Sequence, residues 1–109
     1  MKPPSHAFDV EAVRKRLEQG NGGYEVVHRS PGLEVAVYVL VAPEPDRQQP
    51  HEDDEVYVVL EGTGVLTVES EQVPVAPGQA VFVPAHAEHQ FTAYEGLSVL
   101  VIFAQARDQ

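Results

Sequence analysis

The stretch Gln48-Gln49-Pro50-His51-Glu52-Asp53-Asp54-Glu55-Val56-Tyr57-Val58-Val59-Leu60-Glu61-Gly62 joins potential metal ligands to a strand. In extended chain, residues two apart share a face and lie about 6.6 Å apart along the strand. Gln49 and His51 therefore project the same way. Pro50 between them cannot donate to a ladder, which marks an edge or a strand end. Asp53 and Asp54 offer a turn through side-chain to backbone hydrogen bonds. Glu55 then opens an apolar run, and its carboxylate can face back toward His51 across a strand pair.

A second stretch has the same make-up. Pro77-Gly78-Gln79-Ala80-Val81-Phe82-Val83-Pro84-Ala85-His86-Ala87-Glu88-His89-Gln90-Phe91 runs from a turn through a short strand to two histidines. One imidazole from this hairpin, such as His89, would complete a tetrahedral or open octahedral site with His51 and Glu55. Strand ends at a barrel mouth are where ligand sites sit.

The flanking chain is built almost wholly of strands. Runs rich in Val, Tyr and Phe recur at Tyr24–His28, Glu34–Val41, Glu55–Leu60, Gly64–Glu69, Gln72–Val75, Ala80–Val83, Gln90–Tyr94 and Leu97–Phe103. Turn residues separate them at Ser30-Pro31-Gly32, Pro43–Pro45, Glu61-Gly62, Glu69–Glu71, Pro77-Gly78, Pro84-Ala85 and Glu95-Gly96. Short, closely spaced strands without intervening helices predict an all-β antiparallel barrel or jelly roll. The one helical pattern is Asp9 to Gln19. Asp9 can cap it, Val10, Val13 and Leu17 share a face, and Gly20-Asn21-Gly22-Gly23 ends it. This predicts one domain: a helix and lead-in over 1–23, a barrel over 24–104 and a tail over 105–109.

Composition narrows the function classes. With 109 residues, 43% of them apolar, the chain has enough for one core. The absence of cysteine excludes disulfides, thiolate metal sites and a cysteine nucleophile. The net charge of −10 repels phosphate backbones and anionic lipid, so neither nucleic acid nor membrane is an expected partner. Met1-Lys2-Pro3-Pro4 leads into polar residues rather than an apolar signal region, and Val35–Ala42 and Leu97–Ala104 are too short to span a bilayer. The expected location is the cytoplasm. Val35 to Val41 is apolar on both strand faces, so the outer face must be covered by the helix, by a second copy of the chain, or by both. A homodimer is expected.

The two stretches resemble the two motifs of the cupin family. In the first, Pro43, Gln49, His51, Glu55 and Gly62 stand where the family places Gly, His, His, Glu and Gly. In the second, Gly78, Pro84, His86, His89 and Ala93 stand where it places Gly, Pro, Gly, His and Asn. The resemblance spans residues 24 to 104 and is similar to that of small single-domain bacterial cupins. It implies that His51, Glu55 and His89 are metal ligands. Gln49 replaces the family's first ligand histidine. It stands as a fourth ligand, as in phosphomannose isomerase-type cupins with a Gln-x-His pair, or as a pocket amide bonded to water or Glu55.

His86 lines the pocket, shuttles protons or faces water. Tyr57 and Phe91 share strand parity with Glu55 and His89 and point inward; Tyr38 is a further pocket-lining candidate. Imidazole and carboxylate donors suit a divalent Zn, Fe, Mn, Ni or Co ion. Two functions remain open. One is a metal-dependent small-molecule enzyme of dioxygenase or isomerase type. The other is a non-catalytic barrel that holds a sugar or other metabolite, its metal structural or absent.

Overall fold

The computed structural model describes residues 4–42, 46 and 50–104. The expected turn at Pro43–Pro45, the candidate ligand Gln49 and the tail over 105–109 lie outside the described residues. Among the described residues, one helix, α1 (Val10–Gln19), precedes six strands: β1 (Gly23–Ser30), β2 (Leu33–Leu40), β3 (Asp54–Val68), β4 (Glu71–Val75), β5 (Ala80–Val83) and β6 (His89–Ala104). All pair antiparallel in the order β1-β2-β6-β3-β4, with β5 on β3. The result is the all-β barrel expected from the strand spacing.

The barrel has fewer, longer strands than the sequence pattern suggests. The expected breaks at Glu61-Gly62 and Glu95-Gly96 are bends within β3 and β6. The β3–β6 register shifts between Val59 and Val65, so both long strands bend there without ending. Gly62 (φ 82°) and Gly96 (φ 54°) allow this because glycine has no penalty at positive φ. A Cβ on Gly62 would stand 2.2 Å from the Gly96 carbonyl oxygen. The two strands cross closely there, where a turn would have separated them.

Alternation assigns the faces. Inward rows from β2, β3 and β6 (Ala36 and Leu40; Tyr57 and Val59; Leu97, Val99 and Val101) form the core with Leu66, Val83 and Phe91. The outward row of β2, Val35, Val37 and Val39, is also buried. The helix packs on β1 and β2. Asp9 caps it by accepting from the Ala12 amide at 3.0 Å, and the Gly20 amide closes its end on the Arg16 and Leu17 carbonyls. Arg14, 7% exposed, pairs with Glu11, with Glu18 at 2.8 Å and with Glu61 of β3 at 2.7 Å. It thereby ties the helix to the sheet.

The rest of the outer face is not covered in this way. Phe82 of β5 pairs with Val56, which pairs with Ile102; Val58 pairs with Leu100 beside them. Phe82 is 58% exposed and the other four are half-buried. No helix among the described residues is long and apolar enough to cross a membrane.

Candidate metal centre

Three segments bring the expected ligands together. His51 precedes β3, and its carbonyl accepts from the His86 amide at 2.7 Å. Glu55, the second residue of β3, is paired on both sides, with Val83 of β5 and Phe103 of β6. His89 is the first residue of β6. One donor atom from each of His51, Glu55 and His89 lies within 4.8 Å of the others. Asp54 makes a side-chain to backbone hydrogen bond, the kind expected of it. Its Oδ1 accepts from the Ala85 amide at 3.0 Å, joining the start of β3 to the connection before β6.

Glu55 is 2% exposed and His89 7%. His89 Nδ1 lies 2.9 Å from the Ala87 carbonyl oxygen. A carbonyl only accepts, so Nδ1 carries the hydrogen and donates it. In the neutral ring this leaves the Nε2 lone pair facing Glu55 Oε1 at 3.1 Å. That is an ion-pair distance, yet neither Glu55 oxygen has an aligned hydrogen-bond partner among the described residues. Two acceptors facing each other in the interior repel unless a cation stands between them. A proton is one such cation. Burial disfavours the charged ring, but the facing Glu55 carboxylate and the Ala87 carbonyl favour it more and raise the His89 pKa above the ordinary 6.5.

A divalent ion is the other. The donor set of two imidazoles and a carboxylate fits Zn, Fe, Mn, Ni or Co, and the unpartnered Glu55 oxygens are what such an ion would satisfy. The Ala87 carbonyl plays the outer-shell part that fixes the tautomer of a ligating histidine.

Aromatic rings wall the site. The His51 ring lies 4.8 Å from Phe103, edge to face, and 5.3 Å from the His89 ring. Tyr57 lies 6.2 Å from His89 and 4.8 Å from Phe91; both are 1% exposed. The other two candidates make different contacts. Tyr38 is half-buried and donates its hydroxyl to Asp46 Oδ1 at 2.7 Å. His86 is exposed, at φ 69°, and its amide rather than its ring reaches His51. Sequence reasoning missed Asp46 and Phe103. Phe103 becomes visible only through the register that places it opposite Glu55.

A family model described as the cupin domain matches residues 37–103. An uncharacterized protein of Streptomyces coelicolor is 37% identical over 99 residues, 90% of this chain and 94% of that protein. An acireductone dioxygenase of Leishmania major is 33% identical over 105 residues. That match takes in 89% of this chain but only 30% of the dioxygenase. Among solved structures, an RmlC-like cupin protein from Desulfovibrio desulfuricans superposes with a TM-score of 0.72 at 26% identity, covering 94% of this chain and 97% of the other.

Proposed function

The chain belongs to the cupin domain family, and we propose that its barrel holds one divalent metal ion on His51, Glu55 and His89 and uses it in small-molecule chemistry of the dioxygenase type. The observation that carries this is the buried Glu55 carboxylate. Neither of its oxygens has a hydrogen-bond partner among the described residues, and it faces the Nε2 of a histidine whose Nδ1 proton is held elsewhere. Two histidines with one carboxylate is the donor set of non-haem Fe(II) oxygenases. The likeness to an acireductone dioxygenase supports the same choice. A bound ion supplies Lewis acidity and, when redox-active, electron transfer to O₂.

The chain's own residues do the rest. The Ala87 carbonyl keeps the proton on Nδ1, so Nε2 stays available. Tyr57, Phe91 and Phe103 exclude water and present an apolar wall to a substrate. We propose Gln49, two residues before His51 in the chain, as the fourth donor. We also propose that two copies associate through the outer face around Phe82.

Metal analysis of the purified protein, and after reconstitution with Fe, Mn, Zn and Ni, tests the site. Near-stoichiometric metal is expected in the wild type. His51→Ala, Glu55→Ala and His89→Ala should each bind at least about 100-fold more weakly, since each removes a ligand rather than an outer-shell partner. No metal under any of these conditions sinks the proposal. Oxygen uptake across diketones, phenols and thiols tests the chemistry. Turnover of keto sugars without oxygen uptake would replace the dioxygenase reading by an isomerase. Stoichiometric metal with no turnover of any of them would favour the binding barrel.

A further inference from the structure

Asp46 is a buried carboxylate that the proposed metal chemistry does not use. It lies in the connection between β2 and β3, five residues before His51, and is 2% exposed. Burying a carboxylate costs several kcal/mol in desolvation unless strong donors meet it. Donors from two strands do so. The Tyr38 hydroxyl of β2 donates to Oδ1 at 2.7 Å, and the Phe91 amide of β6 donates to Oδ2 at 2.8 Å. The Gln90 side-chain amide donates to the Asp46 carbonyl at 2.9 Å. Hydrogen bonds to an ionised acceptor are roughly twice as strong as neutral ones.

The places where these bonds land matter. Phe91 stands two residues after His89 on the same strand. The other ties of the His51 segment reach the chain just before His89: His86 donates to the His51 carbonyl, and Ala85 donates to Asp54. His51 is thus bracketed by bonds at residues 46, 51 and 54 to residues 85–91 around His89, and Asp46 is also tied to Tyr38 of β2. None of the bracketing bonds involves a ligand side chain. The His51 ring stands 5.3 Å from that of His89, centroid to centroid.

From this juxtaposition we infer that Asp46 is a positioning residue. Its carboxylate clamps the His51 segment onto β2 and β6 and so pre-sets the gap between the two imidazoles for a metal ion. The inference rests on the metal reading above. Tyr38, offered by the sequence as a pocket residue, acts in the clamp as the hydroxyl donor. A clamp of this kind changes affinity and geometry together, because a ligand left free to wander pays its ordering cost on binding.

The test uses Co²⁺ as the probe, with its visible absorption as the report on coordination geometry. Asp46→Ala should weaken Co²⁺ binding about 10- to 100-fold, the range for residues that orient ligands, with faster release and an altered spectrum. Tyr38→Phe keeps the Phe91 bond and should fall between wild type and Asp46→Ala. Asp46→Asn keeps the shape and one acceptor, so it should recover part of the loss, and it decides the matter if Asp46→Ala does not fold. A folded Asp46→Ala or Asp46→Asn with wild-type affinity and spectrum overturns the inference. If the wild type takes up no Co²⁺, the metal reading fails by itself. The clamp is then judged by nuclear Overhauser contact between the His51 and His89 rings: present in wild type and weakened or lost in Asp46→Ala (or weakened in Asp46→Asn, if Asp46→Ala does not fold) upholds it, undiminished contact in the variant overturns it.

Discussion

At the scale of single residues, the chemistry of the site rests on where one proton sits. The Ala87 carbonyl takes the Nδ1 hydrogen of His89, and the Glu55 carboxylate faces Nε2. In metal-free protein the second proton is therefore bound more tightly in the folded state than in the unfolded one, and the His89 pKa is raised above 6.5. The stability that this contributes is fully present below the unfolded value and is lost as pH rises through the folded value. A metal ion competes for the same Nε2, so its affinity moves the other way and grows across that range. Melting of chelator-treated protein between pH 5 and 8 (about the range over which imidazoles titrate) should show the wild type losing its advantage over His89→Gln as pH rises. With Zn²⁺ added, the advantage should instead increase with pH. A wild-type minus variant difference independent of pH in metal-free protein would contradict this placement of the proton.

At the scale of elements, β3 and β6 depend on one crossing point. Each is long enough to join the metal site at one end of the barrel to the hairpins at the other, and each bends where Gly62 faces Gly96. The two glycines are not equivalent. Both have positive φ, but a Cβ on Gly62 would strike the Gly96 carbonyl, whereas one on Gly96 meets nothing within 4 Å. Gly96→Ala should cost only the left-handed conformation, about 1–2 kcal/mol. Gly62→Ala adds a backbone clash and should cost about 3 kcal/mol or more, because the strands must also move apart. Denaturant melts of the two variants would check the ranking; equal losses would show that the crossing tolerates a side chain. The sequence reading took both glycines as turns. The expectation follows from turn chemistry, and it fails because a bulge and a turn need the same residue.

At the scale of the whole molecule, the uncharged outer face is where a chain with a net charge of −10 could meet a second copy with least repulsion. The row from Phe82 through Val56 to Ile102 continues the buried face that α1 covers on β2. Phe82→Asp should weaken self-association tenfold or more, about 1.4 kcal/mol, by placing a charge on the most exposed side chain of that row; analytical ultracentrifugation would read it. A wild type that stays monomeric at high concentration, or a variant that associates equally well, would end the dimer proposal.

Much of this molecule was already legible in the chain. Runs rich in Val, Tyr and Phe between turn residues set the strands, and strand parity set the inward side of Tyr57 and Phe91, because side chains alternate whatever the strand pairs with. The Asp9 cap and the Gly20 stop bounded the helix, since both act within a few residues. Ligand types and spacings offered His51 and Glu55 with a further imidazole, and the resemblance to the two cupin motifs implied that it is His89. Only the tertiary structure decided that Glu55 is buried without a hydrogen-bond partner among the described residues, which nitrogen of His89 faces Glu55, and that Asp46 ties residues 45 positions apart. Those facts depend on register across β2, β3 and β6. Register is a sum over many long-range pairings, and no local pattern of residues carries it.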